Sequence, residues 1–288
     1  MFLRPRTLAE AAALAREHDW DAKLISGGTA VVLMLQQGLI SPTHLISLDE
    51  LADVSGWRDI TASSAGIRIG GGTRLAAVAR SDALRHGAPA LASAAGVVGN
   101  TRIRNMATVG GNVAEADYAS DPPAVLVALA AQIEVSDGTS VRVVPAAEMF
   151  TDFYATDLRT GEVVTAVHIP APVAGSRSSY TKFCSRSAED RPCVGVASSL
   201  RLEDGVVTGL EVVIGAVAGT PQRRPEVTAS VLGRRLDEGV AAEVAEGYAA
   251  LLDPLDDARG SGWYRREMVR VLVRRSLLGL AEGEGNRS

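Results

Sequence analysis

Two Gly-Gly pairs are the residues of this chain best suited to hold a charged ligand. Gly27-Gly28 lies within Lys23-Leu24-Ile25-Ser26-Gly27-Gly28-Thr29-Ala30-Val31, and Gly110-Gly111 within Ala107-Thr108-Val109-Gly110-Gly111-Asn112. Each pair follows an apolar run, and each reads as a loop. Without Cβ atoms, such a pair brings backbone N–H groups close to an anion such as a phosphate oxygen. A dinucleotide carries two phosphates, so two such loops suit the two sides of one pyrophosphate. Neither loop is the G-x-G-x-x-G of a Rossmann turn, and neither ends in the G-K-[ST] of a P-loop. A different geometry is implied.

The flanking residues carry both plain and functional readings. Thr29 offers a hydroxyl ahead of a helix whose N-terminal end favours an anion, yet it equally caps a simple strand-to-helix turn. Polar side chains crowd Asn100–Asn105 and Asn112–Asp117 around a stretch with an apolar β pattern at Ile103, Met106 and Val109. Arg102 and Arg104 there read equally well as surface residues. Asp121, ahead of Pro122-Pro123, reads as a helix cap. A cap leaves one carboxylate oxygen free for a ribose or ring N–H. Lys182 falls at an alternating strand position, where a lone charge is ordinarily on the solvent side. His18, His44, His86 and His168 share no motif. No nucleophile–base arrangement and no paired carboxylates stand at a spacing for acid–base work. Any redox or transfer chemistry therefore belongs to a cofactor.

These residues are positioned by an α+β chain. With 288 residues, 47% of them hydrophobic and 22% charged, it has room for one large or two modest domains. A net charge of −5 argues against a nucleic-acid surface. The basic run Arg265–Arg275 reads as the solvated face of an amphipathic helix. The first residues lack an apolar signal core, and no apolar stretch is long enough to span a membrane, so a soluble, cytoplasmic protein is expected. Cys184 and Cys193 form no C-x-x-C, a disulfide is not expected in a reducing compartment, and two thiols are too few for an iron–sulfur cluster.

Thr7-Leu8-Ala9-Glu10 is a capping box opening a helix to about His18. Ala22–Ser26 reads as a strand, Val31–Gln37 as a helix stopped by Gly38, and Leu45–Leu48 as a strand, forming a βαβ-like unit that ends near Val54. Then follow a strand at Ile67–Gly70, a helix at Thr73–Ser81 capped by Thr73, a helix at Pro89–Val98, and one opening at Asp121. Ile133–Val135, Ser140–Val144 and Val163–Ile169 read as strands. The Pro/Gly/Ser stretch Ala171–Ser179 marks a domain boundary. Beyond it Tyr180–Cys184, Ala197–Glu203 and Gly209–Val217 read as antiparallel strands, followed by helices at about Gly239–Leu252 and Trp263–Glu282.

The glycine segments resemble a known family. Lys23–Thr29 with Gly38 and Pro42–Leu48 is similar to the first FAD loop of the FAD-binding medium subunits of molybdenum hydroxylases, the carbon monoxide dehydrogenase and xanthine dehydrogenase type. Val98–Asn112 resembles the second loop, and Asp117–Ala124 the Asp-containing helix start. Glu162–Pro170, Tyr180-Thr181-Lys182-Phe183 with Arg186, Asp190 and Val194, and Trp263-Tyr264-Arg265-Arg266 extend the likeness nearly end to end.

The resemblance implies a two-part FAD-binding domain of the vanillyl-alcohol-oxidase/PCMH type at residues 1–172, with parts of about 1–54 and 55–172. A smaller α+β C-terminal domain follows at 177–283. Leu24, Ile25, Ser26, Gly27, Gly28, Thr29, Ala30 and Val31, with Thr108, Val109, Gly110, Gly111 and Asn112, would line the pyrophosphate and ribityl chain, the glycines donating through their backbone. Asp121 would bind the adenosine or ribityl side, Val98 and Val164 would pack near the ring, and Lys182 would reach the isoalloxazine and stabilise charge on reduced flavin. Two positions depart from the family. Val98 replaces an aromatic residue of the animal xanthine dehydrogenases, and Glu115 stands where relatives often carry His or Thr. No His or Cys occupies a flavin loop, so noncovalent FAD is expected.

The function implied is electron transfer within a complex. A large molybdenum-cofactor subunit would hydroxylate the substrate, a small [2Fe–2S] subunit would relay electrons to FAD here, and an external acceptor would take them on. The expected assembly is a dimer of heterotrimers. The rival readings are a stand-alone flavin oxidoreductase of the same fold and a flavin-free structural subunit.

Overall fold

The computed structural model describes residues 1–283. Thr7 caps the helix Leu8–His18, accepting from the Glu10 N–H at 3.2 Å, while the Glu10 carboxylate turns back to the Arg6 N–H at 2.9 Å. That helix buries Leu8, Ala11, Ala12 and Ala15, one stripe at helical spacing. The stripe packs against a three-stranded parallel sheet of order Phe2–Leu3, His44–Ser47, Ala22–Ile25. The last two strands are joined by the helix Val31–Gln36, which ends at Gly38 with φ +67°, so the expected βαβ unit is present.

The next part is a five-stranded antiparallel sheet of order Ile60–Ser63, Gly66–Gly70, Val163–Pro170, Gln132–Ser136, Val141–Pro145. One face packs on a set of short helices, of which Asp121–Ala128 is buried at every residue. A helix without a polar face must be covered on all sides. This one is covered by the helices Pro89–Gly96 and Ala146–Met149 and by a third, four-stranded antiparallel sheet: Ser176–Phe183, Val194–Glu203, Val206–Gly215, Gln222–Arg223. Alternation divides the inward residues of that third sheet. Tyr180, Ala197 and Val213 join the core around Asp121–Ala128, whereas Val194, Val196, Val212 and Ile214 join a second core under the helices Glu238–Leu251 and Gly262–Glu282.

Several local expectations are corrected. The helix expected from Thr73 starts at Leu75, and the Thr73 hydroxyl donates to the Asp59 carbonyl instead of capping. The stretch Thr101–Met106 is a helix capped by Asn100, not a β segment. Gly110 and Gly111 lie inside the helix Val109–Glu115, not in a loop. Strand Ser176–Phe183 begins within the stretch read as a linker. Arg265 is not on a solvated face: it is fully buried and donates to the carbonyls of Cys193 and Ala216 and to the Asp257 carboxylate. The strand Ile60–Ser63, the helix Asp82–Gly87 and the small hairpin Phe150–Asp152/Ala155–Thr156 were not read from sequence. Both cysteines are free, and no helix among the described residues is long and apolar enough to cross a membrane.

Candidate functional site: a cavity between the two glycine segments

The strand Ala22–Ile25 delivers the first glycine pair. Lys23, Leu24 and Ser26 line a cavity, while Ile25 does not and lies beside Gly28. Gly28 takes φ +72°, a left-handed conformation that L side chains rarely adopt. Gly27 presses its backbone on the next segment: a Cβ there would overlap the Met106 carbonyl and stand 3.0 Å from Ala107 Cα. The following helix has Ala30 at its N-cap position with no side-chain cap, so the Thr29 hydroxyl is not spent as a cap. Among the described residues, the Gly27, Gly28 and Thr29 N–H groups donate to no protein acceptor.

The second pair is used differently. Thr108 caps its helix, accepting from the Gly111 N–H at 3.1 Å and donating to Ser26 Oγ at 3.3 Å, which ties the two segments together. The Val109 N–H donates to the Thr73 carbonyl at 2.9 Å and the Gly110 N–H to the Gly71 carbonyl at 2.8 Å. The amides expected to donate to a ligand are therefore engaged inside the protein. What the glycines supply is clearance. A Cβ on Gly110 would stand 2.9 Å from the Gly71 oxygen and 3.0 Å from that of Val164, so its absence seats the helix on the sheet. Gly111 faces outward, where a Cβ would meet only Thr108 Oγ1, at 2.8 Å. Asn112 donates to Ser120 Oγ at 2.8 Å, while its Oδ1 is buried without a partner.

Between these segments lies a cavity of about 740 Å³, within the range of small-molecule and cofactor sites. Leu24, Ser26 to Val31, Val98, Thr108, Gly110 to Asn112, Asp121, Val164 and Lys182 all line it. Ile25 and Val109 do not: Val109 is packed in the core beneath. The wall also includes Trp57 and the turn Leu158–Gly161, which no motif in the sequence announced, and Glu162.

In the wall of the cavity Asp121 meets Lys182. Asp121 is the first residue of its helix, with Ser120 at the cap position, and its side chain caps nothing. Its Oδ1 accepts from the Tyr180 hydroxyl at 2.8 Å and its Oδ2 from Lys182 Nζ at 3.2 Å, so neither oxygen is left over as the capping argument expected. Burial pushes the Asp121 carboxyl up to about 6, against the pull of the Lys182 charge and the Tyr180 bond. Lys182 is not on the solvent side: its side chain is 8% exposed, and Nζ also donates to the Val97 carbonyl at 2.8 Å. Its third N–H has no protein acceptor among the described residues.

The segment after this strand folds over the cavity. Glu189, Asp190 and Arg191 line it, and Arg191 Nε pairs with Asp117 at 2.9 Å. Burial raises the Glu115 carboxyl, opposed by Lys23. Arg104 is not a free surface cation, since its guanidinium donates to the Val98 and Gly99 carbonyls and fixes the turn that carries Val98. His18 and His44 stack with ring centroids 3.7 Å apart, His168 contacts Glu134 at 3.0 Å, and none of the three lines the cavity.

Comparison with known proteins assigns this architecture. Residues 1–172 match the family model described as FAD binding domain in molybdopterin dehydrogenase, and residues 179–280 match the CO dehydrogenase flavoprotein C-terminal domain. The chain belongs to the family of FAD-binding medium subunits of molybdenum hydroxylases. It is 31% identical to the glyceraldehyde dehydrogenase medium chain of Sulfolobus acidocaldarius, over 94% of this chain and 95% of that one. It is 29% identical to the carbon monoxide dehydrogenase medium chain of Afipia carboxidovorans, over 95% and 94%. Among solved structures, carbon monoxide dehydrogenase from Hydrogenophaga pseudoflava superposes with a TM-score of 0.92 at 29% identity, covering 99% of this chain and 98% of that one.

Proposed function

We propose that this chain holds FAD noncovalently in the cavity between its glycine segments and carries electrons between a partner subunit and an external acceptor. The observation that carries the reading is one cavity lined by two sets of unpartnered donors, the free N–H groups of the Gly27-Gly28-Thr29 loop and the free N–H of Lys182. The residues fit the cofactor's chemistry. The loop amides suit phosphate oxygens, the orphaned Asn112 Oδ1 suits a hydroxyl or N–H, and Val98 and Val164 offer apolar contact. FAD supplies transfer of one or two electrons, which no side-chain set here provides.

The chain's own residues bind and orient. Gly27, Gly28 and Thr29 hold the pyrophosphate side, and Gly111 leaves room for the bound molecule. Lys182 presents a positive group that stabilises negative charge accumulating on reduction. Asp121 keeps that ammonium in place, as both oxygens are turned to Tyr180 and Lys182. The segment 185–192, pinned through Arg191 to Asp117 and through Arg186 to the Ala258 carbonyl, covers the cavity and tunes acceptor access. If removing its charges left both flavin potential and acceptor rates unchanged, that part of the reading would fall.

The partners are proposed from the similar proteins, which are named as medium chains and as a subunit of a dehydrogenase complex. A large subunit with the molybdenum cofactor and a small [2Fe–2S] subunit are the proposed partners, in a soluble, cytoplasmic dimer of heterotrimers. The proposed domain limits are 1–172 and 177–283. Native co-purification from the source cell, with flavin and metal analysis, tests this. Molybdenum and iron accompanying the chain support it, whereas substrate turnover by the purified chain alone makes it a stand-alone flavin oxidoreductase.

A further inference from the structure

We propose that Tyr180 is a positioning residue which, through the Asp121 carboxylate, sets how far the Lys182 ammonium is compensated and where it sits in the cavity wall. The proposal rests on the reading that FAD occupies that cavity with Lys182 beside its ring.

The geometry is built rather than incidental. Tyr180 and Lys182 stand two residues apart in the strand Ser176–Phe183, so alternation puts both on one face, where both reach Asp121. Each then takes a different oxygen of the same carboxylate, Tyr180 at 2.8 Å and Lys182 at 3.2 Å. Room for the phenol comes from the neighbouring strand. Gly195 is the register partner of Lys182, and a Cβ on it would lie 2.6 Å from the Tyr180 hydroxyl. Tyr180 is buried, and burial with the adjacent Asp121 charge pushes its hydroxyl well above the ordinary phenol range. It therefore stays a proton donor across the physiological range.

A buried donor to a carboxylate stabilises the ionised form. The titratable and charged groups facing Asp121 are Lys182, Tyr180 and, just beyond the strand end, Cys184. Of these, Lys182 and Tyr180 favour the charged carboxylate, and burial opposes them. While Asp121 is ionised, it compensates the Lys182 charge. Once it is protonated, the ammonium acts on the cavity uncompensated, and a reduced, more negative flavin is favoured. Tyr180 thereby decides the pH at which the second condition takes over.

The test is the midpoint potential of bound flavin against pH, from 5 to 9, in the FAD-loaded full chain, with the visible spectrum confirming occupancy. Wild type is expected to show a break from Asp121. Tyr180→Phe is expected to move that break up by about one pH unit or more, the value of one hydrogen bond to a charged group, and to make the potential more positive at pH 7. Asp121→Asn is expected to abolish the break. Site-specific replacement of Tyr180 by 3-fluorotyrosine, a stronger donor of nearly the same size, is expected to move the break down, which keeps the test independent of any folding defect in Tyr180→Phe. A fully flavinated 3-fluorotyrosine or Phe variant whose profile superposes on wild type overturns the proposal alone. Failure of wild type to take up FAD overturns the functional reading beneath it.

Discussion

Gly111→Ala separates the cavity's shape from the fold's stability. The residue occupies the first turn of the helix Val109–Glu115, its own φ is not in the left-handed region, and its outward side is open. The added Cβ would touch only Thr108 Oγ1, at 2.8 Å, the end of a side chain that can yield. Replacing Gly by Ala in a helix gains up to about 1 kcal/mol, and weakening the Thr108 cap costs about as much. The two nearly cancel, so the flavin-free protein should unfold within about 1 kcal/mol of wild type. The methyl nevertheless projects into the space assigned to FAD. An unaccommodated methyl costs about 1–3 kcal/mol, which corresponds to FAD affinity falling by about 5- to 150-fold. Calorimetric titration of flavin-free protein with FAD, alongside urea unfolding without it, reads both quantities. Unchanged affinity with unchanged stability would refute the placement of FAD against Gly111.

Other perturbations test other contacts. Gly27→Ala should lose both FAD binding and thermal stability, because its Cβ would meet the backbone of Met106 and Ala107 rather than a side chain that can move; a melt like that of wild type would contradict this. Thr108→Ala removes the helix cap and the link to Ser26 and should cost about 1 kcal/mol in urea unfolding, with Thr108→Ser restoring it. Arg265→Met leaves the Cys193 and Ala216 carbonyls without a donor, while Asp257 keeps Arg259 and Tyr118, and should cost about 2–4 kcal/mol; a loss under about 1 kcal/mol would deny it a structural role. For Asp121, burial raises the folded pKa to about 6 from an ordinary value near 4, so the fold prefers its protonated form. Its contribution is in place below about pH 4 and is lost as pH rises through about 6, about 3 kcal/mol in all. Asp121→Asn should remove that slope from flavin-free unfolding, and an unaltered slope would count against the assignment.

What was legible in the sequence was mostly local. The capping box, the stop at Gly38 and the alternating strands of the C-terminal sheet all depend on residues within a few positions of each other. The first glycine pair was legible as a loop for the same reason. The second misled: Gly-Gly-Asn has low helix propensity, yet a helix lacking a Cβ at Gly110 can sit directly on the carbonyls of Gly71 and Val164, and that packing overrides propensity. Asp121 looked like a cap because Pro follows it, but its partners are about sixty residues away on another sheet. No local rule pairs it with Tyr180. Lys182 and Arg265 were misplaced by one assumption, that a charge on an alternating or amphipathic element faces water. Each has instead a set of buried acceptors supplied from elsewhere in the chain. The alternation that puts Lys182 beside Tyr180 was readable, but which face the first domain covers was not.

The visible spectrum of the purified full chain, read with its flavin-to-protein ratio after mild purification or incubation with FAD, tests the central claim most directly. One FAD per chain, released by denaturation and so noncovalent, is the result expected from a cavity lined by the free donors of the first glycine loop and of Lys182. A chain that carries no flavin band and takes up none from solution would contradict it.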